Sequence, residues 1–153
     1  MTESTRSRAR VIGVGNRWRH DDAVGLEVAA RLRARGVPAI DAEGEPIGLL
    51  ELWDGAGAAI VVDAVSSVAA PGTVHRLDVS SAPLPASIAG ASTHLLGLSE
   101  AIELGRTLGR LPAGLVVYGI EGGDFTAGAG LSAPVEAALD VVIAAIEREL
   151  APT

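Results

Sequence analysis

Asp22, Asp63 and His94 are the side chains whose type and position best suit chemistry. Two carboxylates and an imidazole offer oxygen and nitrogen donors, a set that fits a borderline divalent ion at about 2.0 to 2.2 Å with coordination positions left open. Asp22 follows the turn Gly13-Val14-Gly15-Asn16, and Asp63 ends the apolar run Ala59-Ile60-Val61-Val62. His94 comes after Ser92-Thr93 and just ahead of a helical pattern. A helix N-terminus disfavours the imidazolium and keeps a ring nitrogen available to a metal. If the strands before Asp22 and Asp63 run parallel, both acids emerge at one sheet edge, where ligands of open α/β sheets bind, and the later helix can carry His94 to them. Spacing does not distinguish nickel from zinc. The other histidines have weaker claims: His20 lies in the first loop, read as flexible, and His75 in a candidate strand beside Arg76, so His75→Ala is expected to be close to neutral.

The same first loop invites a nucleotide-binding reading, because a glycine-rich turn joins a strand to a helix and Asp41 stands where a ribose-binding acid would. Trp18 replaces the third glycine, and Asp21 and Asp22 put negative charge where a pyrophosphate needs bare amides. Asp21 is expected to cap the helix, which leaves Asp22 free to project above the strand ends.

These side chains need a scaffold, and the apolar pattern supplies one. Short apolar runs at 11–14, 37–40, 59–62, 73–77 and 115–118 alternate with helical patterns at 23–35, 47–53, 95–108 and 134–150. That alternation predicts a single-domain α/β fold, a mostly parallel twisted sheet of about five strands flanked by helices on both faces. Residues 1–10 read as a polar tail and 11–150 as the domain; the Ser-, Ala- and Pro-rich stretch 80–92 reads as a long loop, a common location for function.

Composition narrows the chemistry. The chain has 153 residues, 48% hydrophobic and only 3% aromatic, so the core must be aliphatic. A net charge of -7 repels phosphate backbones and anionic lipid, which excludes nucleic acid and membrane surfaces as partners. The absence of cysteine removes thiolate nucleophiles and cysteine-ligated metals, and no Gly-x-Ser-x-Gly elbow or His-Glu-x-x-His helix occurs. No apolar segment is long enough to cross a bilayer or serve as a signal peptide, so a cytoplasmic protein is expected.

Four fragments in order resemble one family: Gly13-Val-Gly-Asn16 with Asp21-Asp22-Ala-Val-Gly25, Val62-Asp63-Ala-Val65, Ala70-Pro-Gly-Thr73, and Thr93-His94-Leu-Leu-Gly-Leu98. The chain is similar over most of its length to the maturation endopeptidases of nickel-iron hydrogenases. The resemblance implies an endopeptidase that removes the C-terminal extension of a nickel-loaded large-subunit precursor. Asp22, Asp63 and His94 are then the metal ligands and the catalytic candidates, with Asp63 as the possible base. Nickel arrives with the substrate, and zinc or cadmium are expected substitutes. Asn16, Glu43 and Gly44 take substrate-recognition roles, and a monomer is the expected state. Two departures stand out. Aspartate stands at 22, where the family can carry glutamate, which shortens one ligand arm, and Glu43-Gly44-Glu45-Pro46 stands where relatives commonly show Asp-Gly-Gly-Thr, which bears on substrate choice. A non-enzymatic nickel chaperone using the same ligands and a nucleotide-binding domain are the alternatives.

Overall fold

The computed structural model describes residues 9–88 and 93–151, with the backbone alone for 93–96. In chain order the elements are β1 (Ala9–Val14), a 3-10 turn (His20–Ala23), α1 (Val24–Ala34), β2 (Ile40–Ala42), α2 (Pro46–Trp53) and β3 (Ala58–Val65). They continue with β4 (Val74–Asp78), α3 (Thr93–Leu108), β5 (Gly114–Glu121) and α4 (Ala133–Leu150). The strands form one sheet in the order β2-β1-β3-β5-β4, parallel except for β4, which runs antiparallel to β5. The predicted fold class therefore holds, with β4 as the mixed edge.

Alternation along β3 sorts the core into two layers. Ala59, Val61 and Val65 pack with Leu49, Leu50 and Trp53 of α2 and Leu98, Ala101 and Ile102 of α3. Ile60, Val62 and Ala64 pack on the other face with Val28 and Leu32 of α1 and Leu139, Val142 and Ile146 of α4. All eight residues of β3 are buried, as expected for a central parallel strand covered on both faces.

Several boundaries differ from the sequence reading. β1 starts at Ala9, so Ala9 and Arg10 belong to the sheet, while residues 1–8 of the expected tail lie outside the described residues. β2 starts at Ile40 instead of 37, because the Val37 amide donates to Leu32 O as the chain leaves α1. β3 continues two residues past Asp63, so that acid sits inside the strand. β5 likewise runs beyond Tyr118 to Glu121, since Gly119 and Ile120 keep the ladder with Asp63 and Ala64. In the long loop, Leu84 and Ile88 are buried in the core, and residues 89–92, including the expected cap Ser92, lie outside the described residues. Among the described residues no helix is long and apolar enough to cross a membrane.

Candidate active site

The parallel strands β1, β3 and β5 end at one edge of the sheet, and all four buried acids of the described residues, Asp21, Asp22, Asp63 and Glu121, gather there. Burial of a carboxylate is unfavourable unless it is bonded or charge-compensated. Asp21 and Glu121, not singled out from the sequence, each accept several hydrogen bonds here.

Asp22 lies in the 3-10 turn with 1% exposure. Its carbonyl accepts the Asn16 amide at 3.1 Å, which folds the glycine turn back onto it. Three residues later Gly25 presses against the carbonyl oxygens of Val14 and Val62, where no Cβ would fit. Glycine at 25 therefore lets the start of α1 seat directly on the ends of β1 and β3. Val62 immediately precedes Asp63, so the turn bearing Asp22 meets the strand bearing Asp63 at this point.

Asp63 is fully buried, and its Oδ1 accepts the Ala64 amide at 2.8 Å. By alternation it shares the sheet face of Val61 and Val65, the face covered by α2 and α3. His94 lies in the first turn of α3 and not ahead of it; its side chain is outside the described residues. Among the described residues no group of three or more His, Asp or Glu side chains is arranged to hold a metal.

The loop after β2 reaches the same place. Gly97 of α3 lies against the carbonyl oxygen of Gly44, again too close for a Cβ, so Gly44 and the turn carrying His94 adjoin. Glu43 is exposed, whereas Glu45 caps α2, accepting the amides of Ile47 at 2.9 Å and Gly48 at 2.7 Å ahead of Pro46 in the first turn. The Glu45-Pro46 departure in sequence thus starts a helix. Asn16 shapes its own loop, its Oδ1 accepting the Trp18 amide at 3.0 Å, and leaves Trp18 67% exposed. Gly15, Asn16, Trp18, Asp41 and Glu43 line an open cleft of about 290 Å³. Asp41 is held by Arg33 at 2.9 Å, with Arg17 at 3.9 Å, so it does not stand free for a ribose.

Asp21 caps no helix, contrary to expectation. Its carboxylate accepts the amides of Gly123, Asp124 and Ser132 and the Ser132 hydroxyl, at 2.7 to 3.0 Å. Burial raises its pKa, but these donors outweigh burial and hold it below the ordinary range. The first loop is bonded to the loop before α4: His20 Nδ1 bonds Gly130 O at 2.9 Å and its amide donates to Gly128 O at 2.9 Å.

Glu121 is the functional candidate the sequence reading missed. It accepts the Ser67 amide at 2.9 Å, the Ser67 hydroxyl, and bonds His75 Nε2 at 2.9 Å. Burial pushes its pKa up, yet Ser67 and His75 together bring it below the usual carboxylate range. His75 is therefore tied into the carboxyl edge through Glu121.

The comparisons decide the family. A family model described as hydrogenase maturation protease matches residues 24–149. The chain belongs to the hydrogenase maturation protease family. Members of this family are proteases that act on hydrogenase large-subunit precursors. A hydrogenase maturating endopeptidase, HybD of Escherichia coli, is 28% identical, covering 92% of this chain and 93% of its own, with a TM-score of 0.76. HybD of Thermococcus kodakarensis, described as a nickel-iron hydrogenase maturation protease, is 24% identical over 94% of this chain and 99% of its own, with a TM-score of 0.80. HycI of the same organism, 22% identical, covers 97% of both chains at a TM-score of 0.72. The last two likenesses show the shared fold. No curated protein sequence matches.

Proposed function

We propose that this protease removes the C-terminal extension of a nickel-loaded nickel-iron hydrogenase large-subunit precursor in the cytoplasm, reading the bound nickel as the sign of readiness. The observation that carries the reading is the packing of Gly25, three residues after Asp22, on Val62, which precedes Asp63, so that the segments bearing the two buried acids adjoin at a carboxyl edge next to the first turn of α3, with His94. Two carboxylates and one imidazole suit a borderline divalent ion, so the side chains fit a nickel brought in by the substrate; zinc or cadmium could occupy the same donors. An ion so held would polarise the scissile carbonyl and acidify a bound water. Asp63 would take a proton from the water as its oxygen adds to the carbonyl carbon, and would hand that proton to the amine of the extension as the C–N bond breaks. Asp22 and His94 orient the ion; Asn16, Glu43 and Gly44, on the loops beside it, contact the precursor.

The test is incubation with a tailed, nickel-loaded precursor, followed by intact mass measurement. The wild type should release the tail, a nickel-free precursor should stay intact, and Asp22→Ala, Asp63→Ala or His94→Ala should leave the tail in place. Cleavage retained by any of these variants would overturn the assignment. Wild-type binding of the precursor with no mass change would favour a nickel chaperone.

A further inference from the structure

Glu121 holds the loop 66–73 at both ends. Its carboxylate takes the amide and hydroxyl of Ser67, where the loop leaves β3. Its backbone carbonyl accepts the Gly72 amide at 2.8 Å and its amide donates to Thr73 O at 2.9 Å, where the loop enters β4. His75, on β4, bonds the same carboxylate from the side. Inside the loop, Ala69 N donates to Ser67 Oγ at 3.3 Å, and both the amide and the hydroxyl of Thr73 donate to Ala70 O, at 3.1 and 2.6 Å.

A loop braced this way could have been a turn buried beneath a helix, but its tip points into solvent. Val68 is 106% exposed, the most exposed of the large apolar side chains among the described residues. None of the eight residues from 66 to 73 is charged, on a chain with a net charge of -7. The loop begins three residues after Asp63, at the sheet edge of the candidate site. A neutral, pre-shaped loop with an apolar tip binds a protein surface at low entropic cost, because little must be ordered on contact.

We propose that Val68 and the loop 66–73 form a docking contact for the hydrogenase precursor, and that Glu121, with Ser67 and His75, is the positioning device that sets the loop against the cleavage site. The inference rests on the proposed function for the identity of its partner. Glu121 touches no reacting atom; it acts through the loop.

The experiment measures KM and kcat for tail removal, the Kd of the nickel-loaded precursor, and the Tm. Val68→Glu should raise KM and Kd about tenfold while kcat stays within about twofold and Tm is unchanged. Ser67→Ala, which removes the hydroxyl and keeps the amide tie, should raise KM in the same direction, and Ser67→Thr should restore it. Glu121→Gln should raise KM more than Ser67→Ala does. Wild-type KM and Kd in Val68→Glu, or a lowered Tm with unmoved KM in Ser67→Ala, overturns the proposal. A wild type that binds the precursor without cutting it sinks the protease reading alone, since Kd still decides the docking contact. A wild type that does not bind the precursor sinks both.

Discussion

Gly97 in α3 stands directly against the carbonyl oxygen of Gly44, at a separation that admits no side chain at 97. This contact joins the loop carrying Glu43 to the helix turn carrying His94, two positions 51 apart in the chain. Backbone oxygen does not yield as a flexible side chain would, so Gly97→Ala must push the helix or the loop aside. The expected cost is about 1 to 3 kcal/mol in urea unfolding, together with a loss of tail removal larger than stability alone explains. Unchanged stability in this variant would show that the loop and helix separate freely.

Asp21 gives a pH dependence with a definite sign. Four donors hold its folded-state pKa below the unfolded value, so its contribution is complete above about pH 4 and is lost as pH falls through the folded pKa. Glu121 is lowered in the same sense and adds to the slope. Wild-type stability should therefore fall steeply on acidification, and Asp21→Asn should flatten that fall while lowering stability at neutral pH. Urea midpoints collected from pH 3 to 7 check both. A parallel curve for the variant would rule out Asp21 as the group responsible.

The layout of this edge was only partly readable from sequence. Asp63 was legible because it ends an apolar run, and Asp22 because it follows the glycine turn after one; apolar runs mark strands wherever burial on both faces demands them. Glu121 was not legible. Glycine at 119 reads as a strand break, yet here it leaves room for the Val65 side chain while the ladder continues. His75 looked isolated because its partner lies 46 residues away. That pairing follows from the antiparallel register of β4 and β5, with His75 opposite Gly119, and register is set by tertiary pairing that no local pattern encodes. The late start of β2 has a similar origin: Val37 and Ala39 are apolar because they pack on the core beside α1, and they are not part of the ladder.

Asp63 serves both the fold and the proposed chemistry, and two substitutions separate these roles. Its Oδ1 accepts the Ala64 amide, so Asp63→Ala leaves a buried donor without that bond and should cost about 1 to 3 kcal/mol. Asp63→Asn keeps an acceptor in place and should cost less, yet it removes the charge and the basicity. Both variants should abolish tail removal. The ordering to look for is Asn closer to wild type than Ala in urea midpoint, with equal inactivity in the mass assay. An active Asn variant would mean that the carboxylate is not the base.

Trp18 offers a direct reading of whether the cleft by Asn16 and Glu43 meets the precursor. The chain has two tryptophans, and they sit in opposite environments: Trp18 is 67% exposed and Trp53 is fully buried. Trp18 owes its position to the Asn16 side chain, which binds its amide and turns the loop outward. An exposed indole beside a cleft is a typical anchor for a protein partner, since it buries a large area and loses little side-chain entropy. Docking of the precursor should therefore shift emission to the blue, through Trp18 alone. Trp18→Phe should remove the protease's contribution to the shift and raise KM several-fold, about 1 kcal/mol, with no change in Tm because the side chain supports nothing in the core. Asn16→Ala should weaken the same response by freeing the loop. A full blue shift from the Trp18→Phe protein would trace the signal to Trp53 or to the precursor itself, and the cleft would lose its assigned partner.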